Sequence, residues 1–90
     1  MSTQALNSSV LVLNRSFAPV NVTTARRAFC LLCKAVAQVV DMQRDNLELH
    51  NFESWQEVSE FRRRTGMDEE HDDWVSTVSY EIQVPRIVRL

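Results

Sequence analysis

Apolar and polar positions along this chain follow two different spacings, and each spacing predicts its own kind of element. Residues 10–14 are a short apolar run with β-branched side chains, which predicts a buried strand. From 24 to 37 the apolar residues recur every three or four positions, which predicts a main helix with one apolar face. Thr23 or Thr24 is expected to cap this helix, because a threonine hydroxyl accepts a hydrogen bond from a free N–H of the first turn. The intervening stretch 15–21 contains a proline and is predicted to be a loop.

The second half of the chain shows shorter patterns. Residues 38–42 predict a second strand, and the alternation of apolar and polar positions over 47–50 predicts a half-exposed third strand. A helix is predicted over 54–64, because a serine and a glutamate at its start have the spacing of a capping box. Gly66 is expected to end this helix. The alternation over 78–84 predicts a further strand, after which the sequence finishes on an apolar stretch.

Together these elements predict an α+β fold, with a small sheet of three or four strands, one main helix packed on it and a second short helix. Residues 1–9 are expected to be a flexible tail and 10–90 a single small domain. Because a finished domain rarely stops on an apolar run, we expect this domain to be the front part of a longer protein. The expected core residues are Val10, Val12, Phe29, Leu32, Val36, Val40, Trp55, Phe61, Tyr80 and Ile82.

Composition and charge narrow the class of protein. The chain is 44% hydrophobic and 24% charged with a single glycine, which is typical of a globular protein and unlike a disordered one. Its formal net charge of −2 argues against a domain covered in positive charge, so any contact with nucleic acid must use a local patch. The N-terminus lacks a basic start followed by an apolar core, and no apolar run is long enough to span a bilayer, so we predict a cytoplasmic protein.

Cysteine, histidine and acidic residues supply the candidate chemistry, and each candidate has a plainer explanation. Cys30 and Cys33 have the spacing of a redox pair, but they fall in the middle of the predicted helix and not at its N-terminus, where reactive pairs lie. A zinc site would need both cysteines with His50 and His71, whose spacing matches no compact zinc finger. The acidic run 68–73 could gather a hard cation, although a solvated charged loop is the more ordinary interpretation. We predict no catalytic residue, no metal ligand and no cofactor in this chain.

The basic residues give a modest case for contact with nucleic acid. Some of the basic residues share the polar face of the main helix, and three consecutive arginines lie at the end of the second helix. The planar guanidinium suits phosphate, although exposed arginines on a helix are also ordinary. The candidate phosphate contacts are Arg26, Arg27, Lys34, Arg62, Arg63 and Arg64.

Several separated motifs carry a family resemblance. Residues 10–29 read VLVLNRSFAPVNVTTARRAF, and 31–37 continue as LLCKAVA. Further along, 52–55 read FESW and 84–87 read VPRI. In this order the motifs resemble the opening region of a group of bacterial HNH endonucleases. The resemblance covers the chain from about residue 10 to its end.

The resemblance implies a non-catalytic region that precedes a nuclease domain. In that family the histidines and asparagine that name the HNH motif, and the zinc-knuckle cysteines, follow this region, and the sequence given contains none of them. The divalent metal and the hydrolysis of phosphodiesters therefore belong by resemblance to a nuclease domain outside this chain. Whether the chain itself is an enzyme is left uncertain by the sequence, and inactivity on its own is the expectation.

We therefore predict an N-terminal accessory domain of an HNH endonuclease-like protein, which helps to engage DNA or to position the nuclease domain. The alternative is a protein-interaction or dimerisation module with no nucleic-acid role. In that alternative the apolar run at the end of the chain would pair with another chain as an added strand. The candidate partners are DNA, a following or associated nuclease domain and a second copy of the chain.

Overall fold

The computed structural model describes residues 5–43, 45–67, 73–76, 78–79 and 81–90. A 3-10 turn at Ala5–Asn7 precedes the first strand. In chain order the remaining elements are strand β1 Ser9–Leu13, strand β2 Pro19–Thr24, helix α1 Ala25–Cys33, strand β3 Gln38–Gln43, strand β4 Asn46–His50, helix α2 Phe52–Thr65, strand β5 Trp74–Ser76, strand β6 Glu81–Gln83 and strand β7 Ile87–Arg89. None of the described helices is long and apolar enough to cross a membrane.

The main sheet has five strands in the order β2-β1-β7-β3-β4, and β5 and β6 form a separate two-stranded sheet. The α+β class is confirmed, but the predicted sheet of three or four strands was too small. The main sheet is larger because two of its strands, β2 and β7, were not predicted. Pro19–Thr24, half of which was predicted to be loop, pairs with β1 as an edge strand, and Ile87–Arg89 forms a seventh strand.

Strand β7 lies in the centre of the main sheet. It is parallel to β1 and antiparallel to β3, so that Val88 stands between Val12 and Val39. Because both of its edges are paired within the chain, β7 is not available to add to the sheet of another molecule. The proposed mechanism of the dimerisation alternative, in which the apolar run 87–90 pairs with a partner, was therefore wrong.

One face of the main sheet forms the core. Its contributors on the sheet are Val10, Val12, Val39 and Val88. Helix α1 packs on this face with small residues, Ala25 and Ala28, both completely buried, which let the helix lie close to the strands. Helix α2 adds Trp55, and the β5–β6 pair adds Val75 and Ile82. Ala5 is also buried in this core, so the predicted tail 1–9 is folded from residue 5 onward.

The other face of the main sheet is apolar as well. Strand register places Leu11, Val22 and Ile87 side by side, and continues the row through Val40 and Leu49 on the remaining strands. None of these five residues belongs to the core cluster on the helix side. We call this surface the open sheet face. Its most exposed members are Val20, Val22, Met42 and Leu47.

Helix α1 is shorter than predicted and ends four residues earlier. Its cap is Thr24, whose hydroxyl accepts from the Arg27 N–H at 3.3 Å, as the sequence predicted. The end is set by Ala35, which adopts a left-handed φ of 58°. The Val36 N–H then donates to the Leu31 carbonyl at 3.1 Å, which closes the helix in a Schellman motif.

Helix α2, with 14 residues, is the longer of the two helices, although the sequence favoured the other one. Asn51 caps it by accepting from the Ser54 N–H at 2.8 Å, so Ser54 lies inside the helix and does not begin it. Gly66 ends the helix with a left-handed φ of 70°, as predicted. The strand predicted over 78–84 is confirmed only at Glu81–Gln83, since Val78 is fully exposed and residues 77 and 80 lie outside the described part.

The core prediction is right for six of its ten residues, which are buried: Val10, Val12, Leu32, Val40, Trp55 and Ile82. Phe29 is half-buried against the core, and Tyr80 lies outside the described residues. The prediction was wrong for Val36 and Phe61, which have exposed fractions of 54% and 48%. Val36 follows the helix end, and Phe61 is rotated outward because α2 buries Trp55, Ser59 and Arg62 instead.

Candidate nucleic-acid interface

The exposed face of α1 follows from which of its residues are buried. Ala25, Ala28 and Leu32 face the sheet, at the spacing of a helical stripe. The residues left on the surface of the helix and its cap are Arg26, Arg27, Cys30, Cys33 and Lys34. At 3.6 residues per turn these five positions fall within an arc of about 120°. The three cations therefore share one face, which we call the α1 cationic face.

Within the part of the chain that the structure describes, neighbouring side chains do not neutralise the cations of this face. Helix α1 contains no acidic residue. Across the described part of the chain, Arg26, Arg27 and Lys34 form no ion pair with an acidic side chain. All three side chains are exposed to solvent. Their contact with phosphate stays a prediction.

Charge is divided unevenly along the sequence. Residues 1–40 contain four basic residues, Arg15, Arg26, Arg27 and Lys34, and none of the 12 acidic residues of the chain. The sheet order places β2 and β1 at one end and β3 and β4 at the other, with α1 on the first pair and α2 on the second. Among the described residues, the β2–β1 end with α1 thus carries basic side chains and the β3–β4 end with α2 carries most of the acidic ones, although Asp73 lies at Ser8, beside β1. We call these the positive end and the acidic end. The net charge of −2 conceals this division, which a separate tally of each half would have revealed.

The second predicted cluster, on α2, is arranged quite differently. Arg62 is buried, and its guanidinium donates to Asp41 Oδ2 at 2.6 Å and to Gln83 Oε1 at 2.8 Å. The same guanidinium carbon lies 5.3 Å from the centroid of the Trp55 ring. Such a side chain serves the fold, and its donors are directed at internal acceptors and not at a phosphate.

The other two arginines of α2 also contact neighbours. Arg63 pairs with Glu81, the Nη2 to Oε2 distance being 2.7 Å, and its guanidinium carbon lies 4.4 Å from the centroid of the Trp74 ring. Arg64 is exposed and its guanidinium carbon lies 6.0 Å from the centroid of the Phe61 ring. Arg63 carries a charge already paired with an acid, so α1 offers the better phosphate surface.

The three zinc candidates that the structure describes, Cys30, Cys33 and His50, are not brought together. Cys30 and Cys33 are exposed free thiols on the α1 cationic face. His50 lies on β4, where its Nδ1 is 3.2 Å from Ser54 Oγ and its Nε2 is 3.2 Å from Glu48 Oε2. His71 falls outside the described residues. The acidic run 68–73 is described only at its last member, which accepts a hydrogen bond from the Ser8 hydroxyl at 2.6 Å.

One group of potential ligand atoms does occur in the described part of the chain. Oxygen or nitrogen atoms of Asp41, Glu48 and His50 lie within 4.8 Å of one another. Asp41 is already paired with Arg62, and a guanidinium beside the carboxylate opposes the approach of a second cation. The group is better explained as part of the polar contacts that join β3, β4 and α2.

A cleft of about 550 Å³ lies beside β3, where that strand continues past the end of its pairing with β7. Its walls include Met42, Met67 and Arg86, and the Asp41–Arg62 ion pair lines it as well. The charged groups of that pair already satisfy each other. We assign the cleft no chemistry.

Comparison with known proteins gives one match. A family model described as "HNH endonuclease-associated, N-terminal domain" matches residues 10–90. No curated protein and no solved structure is significantly similar to the chain.

Proposed function

This chain belongs to the family of HNH endonuclease-associated N-terminal domains, and on that basis we propose that it is an accessory domain that engages DNA for an HNH nuclease. The membership confirms the resemblance seen in the order of the sequence motifs. An association with HNH endonucleases is stated by the family description itself. The contact with DNA is our proposal.

The observation that carries this proposal is the α1 cationic face. Arg26 and Lys34 are separated by about 12 Å along the helix axis, at a rise of about 1.5 Å per residue. Duplex DNA carries one charge for about every 1.7 Å of its axis, so a surface of this length meets several phosphates at once. Exposed cations without internal partners release counterions when they bind DNA, and this release is the main source of sequence-independent affinity.

The uneven charge distribution gives the contact a direction. Exposed acidic residues of β4 and α2, such as Glu48, Glu53 and Glu60, lie at the end of the molecule away from β2. A polyanion is repelled by that end and attracted by the end that holds α1. The domain would therefore meet DNA in one orientation, even though its net charge is negative.

The role assigned to the α1 cationic face is positioning. Phosphate contacts fix the register and orientation of a protein on DNA and do not read its sequence. Cleavage and the divalent metal that supports it are assigned to the nuclease domain, and we assign no catalytic residue to this chain. A nuclease gains from such a domain because DNA held beside its active site reacts at a higher effective concentration.

The test is binding to a fluorescein-labelled duplex, measured by anisotropy at low salt with a reductant that protects the exposed thiols. The variant carries Arg26→Gln, Arg27→Gln and Lys34→Gln. Its matched control carries Asn46→Asp, Gln56→Glu and Met67→Glu, which change the net charge by the same amount at the acidic end. We expect the α1 variant to bind about tenfold more weakly or worse, and the control to change affinity far less. Equal losses in both variants would show that only net charge matters and would overturn the proposal.

The open sheet face supports a second candidate function, which is to position the HNH nuclease domain by direct contact. Val22, Met42 and Leu47 have exposed fractions of 60%, 59% and 47%, and contiguous exposed apolar surface is typical of protein interfaces. The test is titration of the chain with an isolated HNH nuclease domain from a member of this family, followed by calorimetry. Val22→Asp should abolish binding if this face is the contact. Concentration-dependent dimers of the chain alone would point instead to a second copy as the occupant.

A further inference from the structure

The tip of the β1–β2 hairpin is a fixed turn and not a loose loop. The Asn14 N–H donates to the Ala18 carbonyl at 2.9 Å, and the Phe17 N–H donates to the Asn14 carbonyl at 3.0 Å. The Asn14 side chain accepts from two further backbone groups, the N–H of Ser16 at 2.8 Å and that of Ala18 at 3.1 Å. Four hydrogen bonds within five residues hold the backbone of residue 17 in one conformation.

Phe17 occupies an unusual position in this turn. Its φ of 64° lies in the left-handed region, which hairpins of this kind normally reserve for glycine. The sequence instead places a large aromatic side chain there, and 41% of the residue remains exposed. Phe17 is absent from the core cluster and from the residues packed against it, so its ring does not fill the core.

Two arginines lie near Phe17, one against its ring and one two residues before it in the chain. The guanidinium carbon of Arg89 lies 4.7 Å from the ring centroid. The same guanidinium is held in place by donating to the Arg15 carbonyl from Nε at 3.1 Å and from Nη2 at 2.9 Å. Arg15 is exposed and lies within residues 1–40, which contain no acidic residue. The tip therefore presents an oriented aromatic ring with Arg89 packed against it and the exposed Arg15 two residues away in the chain.

We propose that Phe17 stacks on an unpaired nucleobase of DNA, with Arg89 holding the ring in place and the exposed Arg15 contacting the phosphate beside that base. The inference rests on the proposed function and adds a class of substrate to it, namely DNA with single-stranded or unpaired nucleotides. In an intact duplex each base is stacked between its neighbours and shows only its edges to a protein. An unpaired base exposes its flat faces, and an exposed aromatic ring beside cations is the arrangement that binds them.

The hairpin tip and the α1 cationic face lie on opposite sides of the main sheet. Helix α1 packs on the face that carries Val12 and Val88, whereas the side chain of Arg89 lies on the open sheet face with Ile87, because side chains alternate along a strand. Since the Arg89 guanidinium contacts the Phe17 ring, the ring lies on the side of the open sheet face. Duplex DNA would use the α1 cationic face, and an unpaired base would bind at the ring as a separate contact.

The experiment compares binding of a labelled oligothymidylate of about 15 nucleotides with binding of a duplex, for the unaltered chain and for Phe17→Gly and Phe17→Trp. Phe17→Gly suits the left-handed backbone, so thermal unfolding should show that the fold is kept. We expect it to weaken oligothymidylate binding about fivefold or more and to leave duplex binding within about twofold. Phe17→Trp, which keeps an aromatic face, should retain oligothymidylate binding.

The outcomes separate this inference from the proposed function. If Phe17→Gly leaves oligothymidylate binding unchanged while the α1 glutamine variant weakens duplex binding, the stacking role is wrong and the α1 role stands. In that case the exposed ring is better explained as a protein contact. If Phe17→Gly acts as expected but the α1 variant does not, the stacking role stands and the α1 role is wrong. Failure of the unaltered chain to bind either DNA would overturn both.

Discussion

The two helices carry basic residues in similar numbers and put them to opposite uses. On α1, Arg26, Arg27 and Lys34 are exposed and form no ion pair within the described residues. On α2, Arg62 is buried between Asp41 and Gln83, and its neighbour Arg63 is paired with Glu81. The difference lies in what surrounds each helix, since acidic residues occur only after residue 40. A cluster of arginines in a sequence is therefore a candidate binding surface only where no acidic side chain lies close enough in the fold to pair with it.

The contacts of α2 show why Arg62 is buried. Trp55, Ser59 and Arg62 lie on one stripe of the helix, and all three bind Gln83 on β6. The Trp55 indole donates to the Gln83 carbonyl at 2.7 Å, and the Ser59 hydroxyl accepts from the Gln83 N–H at 3.1 Å. Arg62 then satisfies the Gln83 side chain. Because an unpaired buried polar group costs free energy, each of these contacts depends on the others.

The largest predicted effect follows from removing Arg62. Arg62→Ala leaves the Asp41 carboxylate, whose side chain is only 13% exposed, without its partner. We expect a loss of about 3 kcal/mol in the free energy of unfolding, measured by urea denaturation. The matched control is Arg26→Ala, which should stay within about 0.5 kcal/mol of the unaltered chain. Equal effects of the two variants would contradict the contrast between the helices.

A smaller effect is predicted at the end of α2. Gly66 has a φ of 70°, and an added Cβ would meet no atom within 4 Å. Gly66→Ala therefore costs only the strain of a left-handed backbone, about 1 kcal/mol in the free energy of unfolding. The midpoint of urea unfolding measures it. An unchanged or higher midpoint would show that the helix end relaxes to another conformation.

The smallest predicted effect is a gain at the end of α1. Ala35 holds the same left-handed position that Gly66 holds on α2, with a φ of 58°. Ala35→Gly should raise the free energy of unfolding by about 0.5 kcal/mol, because relief of strain exceeds the added freedom of the unfolded chain. The measurement is again urea unfolding, with Ala37→Gly at a buried site outside any helix as a control that should lower stability. A loss on Ala35→Gly would mean that the left-handed residue is not strained.

The parts of the fold that depend on local pattern could be predicted from the sequence. The run 10–14 and the stripe of α1 were found because burial repeats with the period of the element. Gly66 was recognised because few residues other than glycine adopt its backbone conformation readily. The class of fold and the family resemblance were also correct, and the family match covers residues 10–90.

Features that depend on distant partners could not be predicted in this way. The stripe of α2 was placed on Phe61, one residue from Arg62, because a hydrophobicity pattern does not anticipate that an arginine is buried by Asp41 and Gln83, each 21 residues away. The central position of β7 likewise depends on topology. A pattern of three residues does not indicate which strands lie beside them. From the sequence, the exposed cations of α1 and the internally paired arginines of α2 were alike candidate phosphate contacts, and only the structure distinguishes the two groups.

The most direct test of the central claim is the salt dependence of duplex binding. For each phosphate contact, the slope of the logarithm of the binding constant against the logarithm of salt concentration changes by about 0.9. Replacing Arg26, Arg27 and Lys34 by glutamine should make this slope shallower by about 2 to 3, whereas glutamine at Arg63 and Arg64 should change it by less than about 0.5. If both variants flatten the slope equally, or if neither does, the distinction between the two helices does not govern how this domain meets DNA.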